Sequence, residues 1–388
     1  MNRSPHGPRL PPPHEFSVCL EVDLRQIRNN YRFIQSKCAV ACGAVVKANG
    51  YGLGAVNISS ALYQEGCKDF FVTSLDEAIL LRNSNAFPKN INLYIFNGVT
   101  PNTEELFYQY NLIPVIISFG QIELWANFAK IKEKKLPAII HIDTGISRTG
   151  LCPEYQKILC ENPDILKAFE IKAIMSHLAC ANKENHPYNL VQLNRFKEFI
   201  NFFPGYAYSL VGSVGSALGR EYHFDLIRAG FGLYGSTKIL PGCDLAARLW
   251  ARIIQIRDIP KNTYVGYEAE YKSDTAKRLA VIGIGYADFW VHPNDKNLAL
   301  SLHGKRISPL GRGSMDLLTV DISDFPKDEI KIGDWVQLLG PDISLQEAAR
   351  LSQTTPAKIL ASLGGGRYHR IYYDDGISWR PSQTGRSG

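Results

Sequence analysis

The chain has no Cys-x-x-Cys pair, and no histidine cluster completes a metal-ligand set. Its eight cysteines (Cys19, Cys38, Cys42, Cys67, Cys152, Cys160, Cys180 and Cys243) therefore point to no zinc site and to no small disulfide scaffold. No bound metal is expected. There is no run near the roughly 20 apolar residues that a membrane-spanning helix needs. Strong charge of one sign is missing too. The formal net charge is +6 over 388 residues, spread along the chain, which argues against a nucleic-acid surface. The first sixteen residues are rich in proline and polar side chains and lack an apolar core. They read as a disordered arm over 1–15, not as a secretory signal. The tail over 381–388 looks equally loose. Without an export signal the cysteines are expected to be reduced, partly buried thiols in a cytoplasmic protein.

What the chain does have is the material for a large core: 45% hydrophobic and 21% charged residues, in a length that suits two domains. After a strand-like Phe16–Val22 and a helical Asp23–Ser36 come eight apolar runs: 44–47, 70–74, 91–96, 113–117, 137–143, 171–177, 206–210 and 226–228. Helical patterns separate most of them. This count predicts a (β/α)8 TIM-type barrel over 16–248, with a doubly wound open sheet as the competing architecture. Near Leu249 the pattern changes to strands without long helices, separated by turn signals such as Asn294-Asp295 and Gly304-Lys305. A mainly β domain is expected over 249–380.

The most informative stretch is Ala44-Val45-Val46-Lys47-Ala48-Asn49-Gly50-Tyr51-Gly52-Leu53-Gly54. A lysine ends a short apolar strand, where a charge is costly and an amine is pushed toward its nucleophilic neutral form. The glycine-rich turn after it offers backbone N–H groups and a tyrosine hydroxyl, which suit a phosphate. An amine beside a phosphate cradle is the pairing that pyridoxal phosphate (PLP) requires. A lysine snorkelling from an ordinary strand end explains the same residues equally well.

Four further polar residues follow different apolar runs, where a barrel gathers its active site. They are Arg148, His177, Ser213 and Arg228. Singly, His177 reads as a satisfied core histidine, the arginines as ion-pair partners of Asp143 or Asp225, and Ser213 as a loop serine. Together they predict one convergent site.

At this point the residues resemble the alanine racemase family. The matching segments are AVVKANGYGLG, HIDTGISRTGL, SHLACA, the Gly212-Ser213 pair ahead of IRAGFGLYG, VGYEAEY, IGIGYAD and LGRGSMDLLTVDI. They follow in family order along nearly the whole chain. The resemblance implies a PLP-binding barrel, a β domain, and a head-to-tail homodimer whose subunits share each active site. It implies that Lys47 carries PLP and acts as one catalytic base, with Tyr267 of the other subunit as the second. Tyr51, Ser213 and the backbone near Gly230 and Phe231 hold the phosphate. His177 packs beside the pyridine ring, Arg228 donates to its nitrogen, and Arg148 contacts the phenolic oxygen and borders the substrate. Tyr286, Met315 and Asp316 line the partner's access path and substrate carboxylate site. The implied role is supply of D-alanine for peptidoglycan in a bacterial cytoplasm.

The chemistry is consistent with the side chains. Inverting an α-carbon needs a base on each face, and lysine and tyrosine are both tunable toward neutral pH. An arginine retains its proton, so a ring nitrogen beside Arg228 stays unprotonated and deeper reactions such as transamination are suppressed.

Departures from the family are Leu53 for histidine, Gly50 for alanine, Gly212 for asparagine, Glu268 for glycine, and His141 where a carbamylated lysine often holds the arginine matching Arg148. Gly366 stands where a phosphate-contacting tyrosine is usual, with Tyr368 and Tyr372 nearby. Competing readings are a broad-specificity or serine racemase, a PLP decarboxylase, a non-catalytic PLP carrier, and a degenerate PLP-binding homologue. Arg228 disfavours the decarboxylase, which is expected to have glutamate there. The β domain disfavours the carrier.

Overall fold

A computed structural model describes residues 7–8, 15–84, 87–88, 90–235, 240–289, 298–374 and 377–379. The expected arm and tail and the Asn294-Asp295 turn lie outside these, apart from Gly7, Pro8 and Glu15. The chain divides into two compact units.

The first unit comprises 27–50 and 54–244. After β1 (Val18–Asp23), which belongs elsewhere, its strands are β2 (Ala41–Val45), β3 (Asp69–Val72), β4 (Asn92–Ile95), β5 (Ile113–Ile116), β6 (Leu136–His141), β7 (Phe169–Met175), β8 (Tyr208–Ser209) and β9 (Leu226–Ala229). They form one eight-stranded parallel sheet in the order β8-β7-β6-β5-β4-β3-β2-β9. Its edges meet: Asp225 N donates to Tyr208 O at 3.0 Å and Arg228 N to Val211 O at 3.1 Å. The sheet is thus a barrel, and each strand matches one expected apolar run. Strands covered on both faces must be apolar throughout. Thus β5 (Ile-Pro-Val-Ile) is wholly buried, and β3 is buried except for partly exposed Asp69. Helices lie between successive strands. Several begin on capping residues: Ser118 accepts from Gln121 N, and Pro153 and Pro187 occupy first turns.

Two buried tyrosines fix the strand that leads to Lys47. Tyr31 donates to Cys42 O at 2.8 Å and Tyr234 to Val45 O at 2.8 Å. Both rings supply apolar bulk while their hydroxyls satisfy the backbone.

The second unit comprises the described residues up to Gln26, Tyr51–Leu53, and those from Leu245 onward. Its strands are β10 (Ala247–Ile259), β11 (Tyr264–Val265), β12 (Tyr271–Lys272), β13 (Lys277–Ile282), β14 (Leu300–Leu302), β15 (Lys305–Ile307), β16 (Leu318–Asp321), β17 (Trp335–Leu339), β18 (His369–Asp374) and β19 (Ile377–Trp379). Helices Leu345–Leu351 and Pro356–Ser362 interrupt them, capped by Ser344 and Thr355. The opening strand differs from its expected place in the barrel domain. β1 pairs antiparallel with β10 and parallel with β18. Its alternation could not reveal this, because both partners lie more than 200 residues away. Buried Glu21 on β1 accepts from Trp250 Nε1 at 2.8 Å and from the Tyr373 hydroxyl, so one carboxylate links three strands.

Gly52, in the same unit, shows why the turn after Lys47 needs glycine there. Its φ is +82°, and a Cβ would fall 2.3 Å from Leu360 O and 2.8 Å from Gly364 N. Gly52→Ala is expected to destabilise the protein by about 2 kcal/mol or more, through a left-handed strain plus a backbone clash. A thermal melt checks this; an unchanged midpoint shows that the 360–364 backbone yields freely.

Candidate active site

In the barrel unit Lys47 follows β2 directly. The residues after it adopt an uncommon conformation: Ala48, Asn49, Gly50 and Tyr51 have φ of 51°, 52°, 62° and 52°. This is a left-handed turn, which costs an L-residue about 1–2 kcal/mol per position. Specific contacts hold it. Gly50 N bonds back to Val46 O at 2.8 Å. Glu77 accepts from Ala48 N at 2.5 Å and Thr73 N at 2.8 Å, and Asn49 Oδ1 accepts from Ala55 N at 2.9 Å. Of the turn expected to suit a phosphate, the N–H groups of Ala48 and Gly50 are therefore already bonded.

The Lys47 amine lies 5.8 Å from the centre of the Phe96 ring. Burial, and then the nearby charge of Arg148, pull it below its ordinary pKa, with Glu77 opposing. The shift is toward the neutral amine that a nucleophile and base requires.

Arg228, in β9, is buried at 3% exposure. Its guanidinium donates to the Ser209 hydroxyl, to Ser176 O at 2.6 Å and to Leu210 O at 3.2 Å, and sits 3.5 Å from His177 Nδ1. No carboxylate pairs with it among the described residues. Burial pulls it down to about 9, which leaves it charged at neutral pH.

His177 and His141 respond to the same surroundings. Burial and then the charges of Arg228 and Arg148 bring each down to about 3, His141 with a small opposing effect from Asp143. The charges of His141 and Lys47 also act on His177. Lys47, Arg148, His177 and Arg228 are thus brought within electrostatic reach of one another, as the sequence predicted.

Ser213 forms an adjoining feature. Its buried oxygen accepts from Gly230 N at 3.4 Å and Gly232 N at 3.0 Å. Both N–H groups at the start of the short 3-10 helix Phe231–Leu233 are thus engaged by Ser213, whose hydroxyl proton remains to donate.

Arg148 is exposed and has no hydrogen bond or ion pair among the described residues. Asp143, one suggested partner, is engaged elsewhere: its carboxylate accepts from the N–H groups of Gly145, Ile146 and Ser147. It shapes the loop without gripping the arginine. His141 Nε2 is buried without a partner.

The remaining residues lie in the second unit. Tyr286 N bonds to Ser314 O at 3.2 Å and Ala287 N to Met315 O at 3.0 Å, so Tyr286 and Met315 are neighbours. Both are substantially exposed, as is Tyr267 at 66%. Asp316 is bonded by Arg367 at 2.6 Å, and Arg367 also clasps buried Asp288 at 2.8 and 2.9 Å. Tyr51 belongs to the short segment grouped with this unit; burial raises its phenol to about 12. At Gly366, a Cβ would fall 1.9 Å from the Tyr368 ring, so the Tyr368 ring fills the space where a side chain at 366 would begin.

Sequence reasoning missed Glu77, Tyr234, Gln192 and Arg367. Gln192 joins two site loops from a helix: it donates to Thr144 Oγ1 at 3.3 Å and His177 O at 3.0 Å, and accepts from Ala179 N at 2.8 Å. A buried glutamine on an amphipathic helix was the available signal.

Comparison with known proteins gives consistent results. A profile described as the alanine racemase N-terminal domain matches residues 22–238, and the alanine racemase C-terminal domain profile matches 246–372. The chain is 37% identical over 358 residues to alanine racemases from Rickettsia canadensis and Rickettsia rickettsii, covering 92% of this chain and 99% of each relative. Among solved structures, the Bartonella henselae alanine racemase with covalently bound pyridoxal phosphate has a TM-score of 0.86 at 37% identity, over 92% of this chain and 99% of that one. The biosynthetic alanine racemase of Pseudomonas aeruginosa has a TM-score of 0.83 at 30% identity, over 92% of this chain and 100% of that one.

Histidines held neutral to about 3 have a thermodynamic signature. The unfolded chain titrates near 6.5, so between pH 6.5 and 3 it binds more protons than the native state. Stability should be complete above pH 6.5 and fall steadily below it. His141→Asn should lose less melting temperature than wild type between pH 7 and 4 in the cofactor-free protein. Parallel pH profiles for the two proteins refute the buried neutral state of His141.

Proposed function

The chain belongs to the alanine racemase family, and from that premise we propose an enzyme that interconverts L- and D-alanine with PLP on Lys47. The observation that carries this reading is the lowered Lys47 amine within one charged cluster with Arg148, His177 and Arg228.

The residues present fit PLP. Lys47 supplies an amine biased toward its neutral form, and the Ser213 hydroxyl, held by Gly230 N and Gly232 N, supplies a donor for a phosphate. Tyr51 and the Phe231 backbone complete the proposed phosphate set. His177 stays neutral beside the ring, and Arg148 is the free cation for the phenolic oxygen. When bound, PLP supplies the electron sink that makes the α-proton removable.

This chain's own residues then do the following. Lys47 takes or returns the α-proton on one face. Tyr267 of the partner subunit does so on the other. Arg228 keeps its proton, fixed by Ser209, Ser176 and Leu210, and so does not protonate the ring nitrogen. Tyr286, Met315 and Asp316 of the partner subunit border the substrate. The homodimer with shared sites rests on the family resemblance, and the exposure of Tyr267, Tyr286 and Met315 is compatible with it. The family matches over nearly the whole chain favour an active racemase over a degenerate homologue. The proposed cellular role is D-alanine supply for peptidoglycan in the cytoplasm. No helix among the described residues is long and apolar enough to cross a membrane.

Lys47→Ala should remove both the cofactor's visible absorbance and conversion of L-alanine to D-alanine; retained racemisation excludes Lys47. Tyr267→Phe should also be inactive. After dissociation and remixing, the two variants should recover about a quarter of wild-type activity, since half the dimers are mixed and each mixed dimer has one intact site. No recovery counts against the shared site.

A further inference from the structure

Tyr267 stands on a loop strained on both sides of it. Gly266 has φ +84°, Glu268 +60° and Ala269 +51°. Glycine is the default at such positions, so Glu268 and Ala269 are held against their steric preference. The facing segment does the holding. A Cβ on Gly266 would fall 2.8 Å from Arg312 N, and one on Gly311 would fall 2.3 Å from Val265 O. The two backbones are therefore in direct contact.

Arg312 adds charge to that contact. Its guanidinium is ion-paired with Glu268 and lies 4.0 Å from Glu270. Tyr267 itself has no hydrogen-bond partner among the described residues and is 66% exposed. Within its own chain, among the described residues, the phenol has no grip, so this chain directs it through the loop. The ion pairs on this loop, among the described residues, are those of Arg312.

We propose that Glu268, through its ion pair with Arg312, is a positioning residue that aims Tyr267 for proton transfer. The proposal rests on the reading of Tyr267 as the second base. A glutamate in this left-handed position reaches Arg312, which glycine cannot do. The pair is partly exposed, at 64% for Glu268 and 30% for Arg312. Its effect is accordingly modest, about threefold rather than orders of magnitude.

The test follows solvent-deuterium incorporation at the α-carbon separately for L- and D-alanine. Tyr267→Phe comes first. A loss from one enantiomer alone upholds the second-base reading; an equal loss, or none, removes that reading and this proposal with it. Given the one-sided loss, Glu268→Gln is expected to slow exchange of the same enantiomer about threefold and leave the other unchanged. Amide hydrogen exchange at residues 266–270, read on the cofactor-free protein, is expected to rise. Glu268→Gly relieves the φ of +60° while removing the charge, so it separates strain from charge. Loss in both variants confirms that the ion pair positions Tyr267. Wild-type exchange in Glu268→Gly or Glu268→Gln, equal loss from both enantiomers, or unaltered amide exchange overturns the proposal and leaves the role of Tyr267 standing.

Discussion

Arg228 is a full positive charge inside a barrel, bound only by neutral acceptors. Burying a charge without a counter-charge is costly, and the cost is tolerable here because every contact is a hydrogen bond from a fixed guanidinium. Its acceptors come from the ends of neighbouring strands: Ser176 after β7, and Ser209 and Leu210 at the end of β8. One side chain therefore joins strand ends that only barrel closure brings together. Its field also reaches outward. It contributes to keeping His177 and His141 neutral, while Arg148 acts on Lys47 in the same sense. A cationic, carboxylate-poor cluster is suited to an anionic ligand with a phosphate and a phenolate.

Around this cluster the fold accepts local strain where chemistry is placed. The turn after Lys47 runs left-handed through successive residues, and Glu77 and Asn49 hold it by accepting backbone N–H groups. Glu77 also tempers the lowered pKa of Lys47, so one carboxylate shapes the turn and moderates the amine. The loop bearing Tyr267 shows the same combination of positive φ and a nearby carboxylate. Strain that persists in a folded protein needs surrounding contacts that over-determine it, and both segments have them.

The departures from the family pattern have physical readings in the structure. Gly366 is compatible with Tyr368, whose ring fills the space a side chain would need. Glu268 takes a left-handed position, and its charge is paired with Arg312. His141 leaves Arg148 without a protein partner and keeps its own Nε2 unpaired among the described residues. The carbamylated lysine of the family has no substitute among the neighbouring carboxylates, since Asp143 is committed to its own loop.

By itself the sequence determined the class of fold and pointed to a set of candidate residues. Eight apolar runs of strand length can be satisfied by a parallel sheet covered on both faces, and that requirement is local enough to read. The motifs around Lys47, Arg148, His177 and Arg228 were legible for the same reason: a charge at the end of an apolar run is visible without knowing its neighbours. Tertiary structure alone decided where β1 belongs, because its pairing with β10 and β18 spans most of the chain. It also decided which groups are already occupied. The N–H groups of Ala48 and Gly50 looked free, and Asp143 looked available to Arg148. In the fold the former are bonded to Glu77 and Val46, and the latter to three backbone amides. A hydrogen bond is a relation between two positions, and sequence shows only one of them at a time.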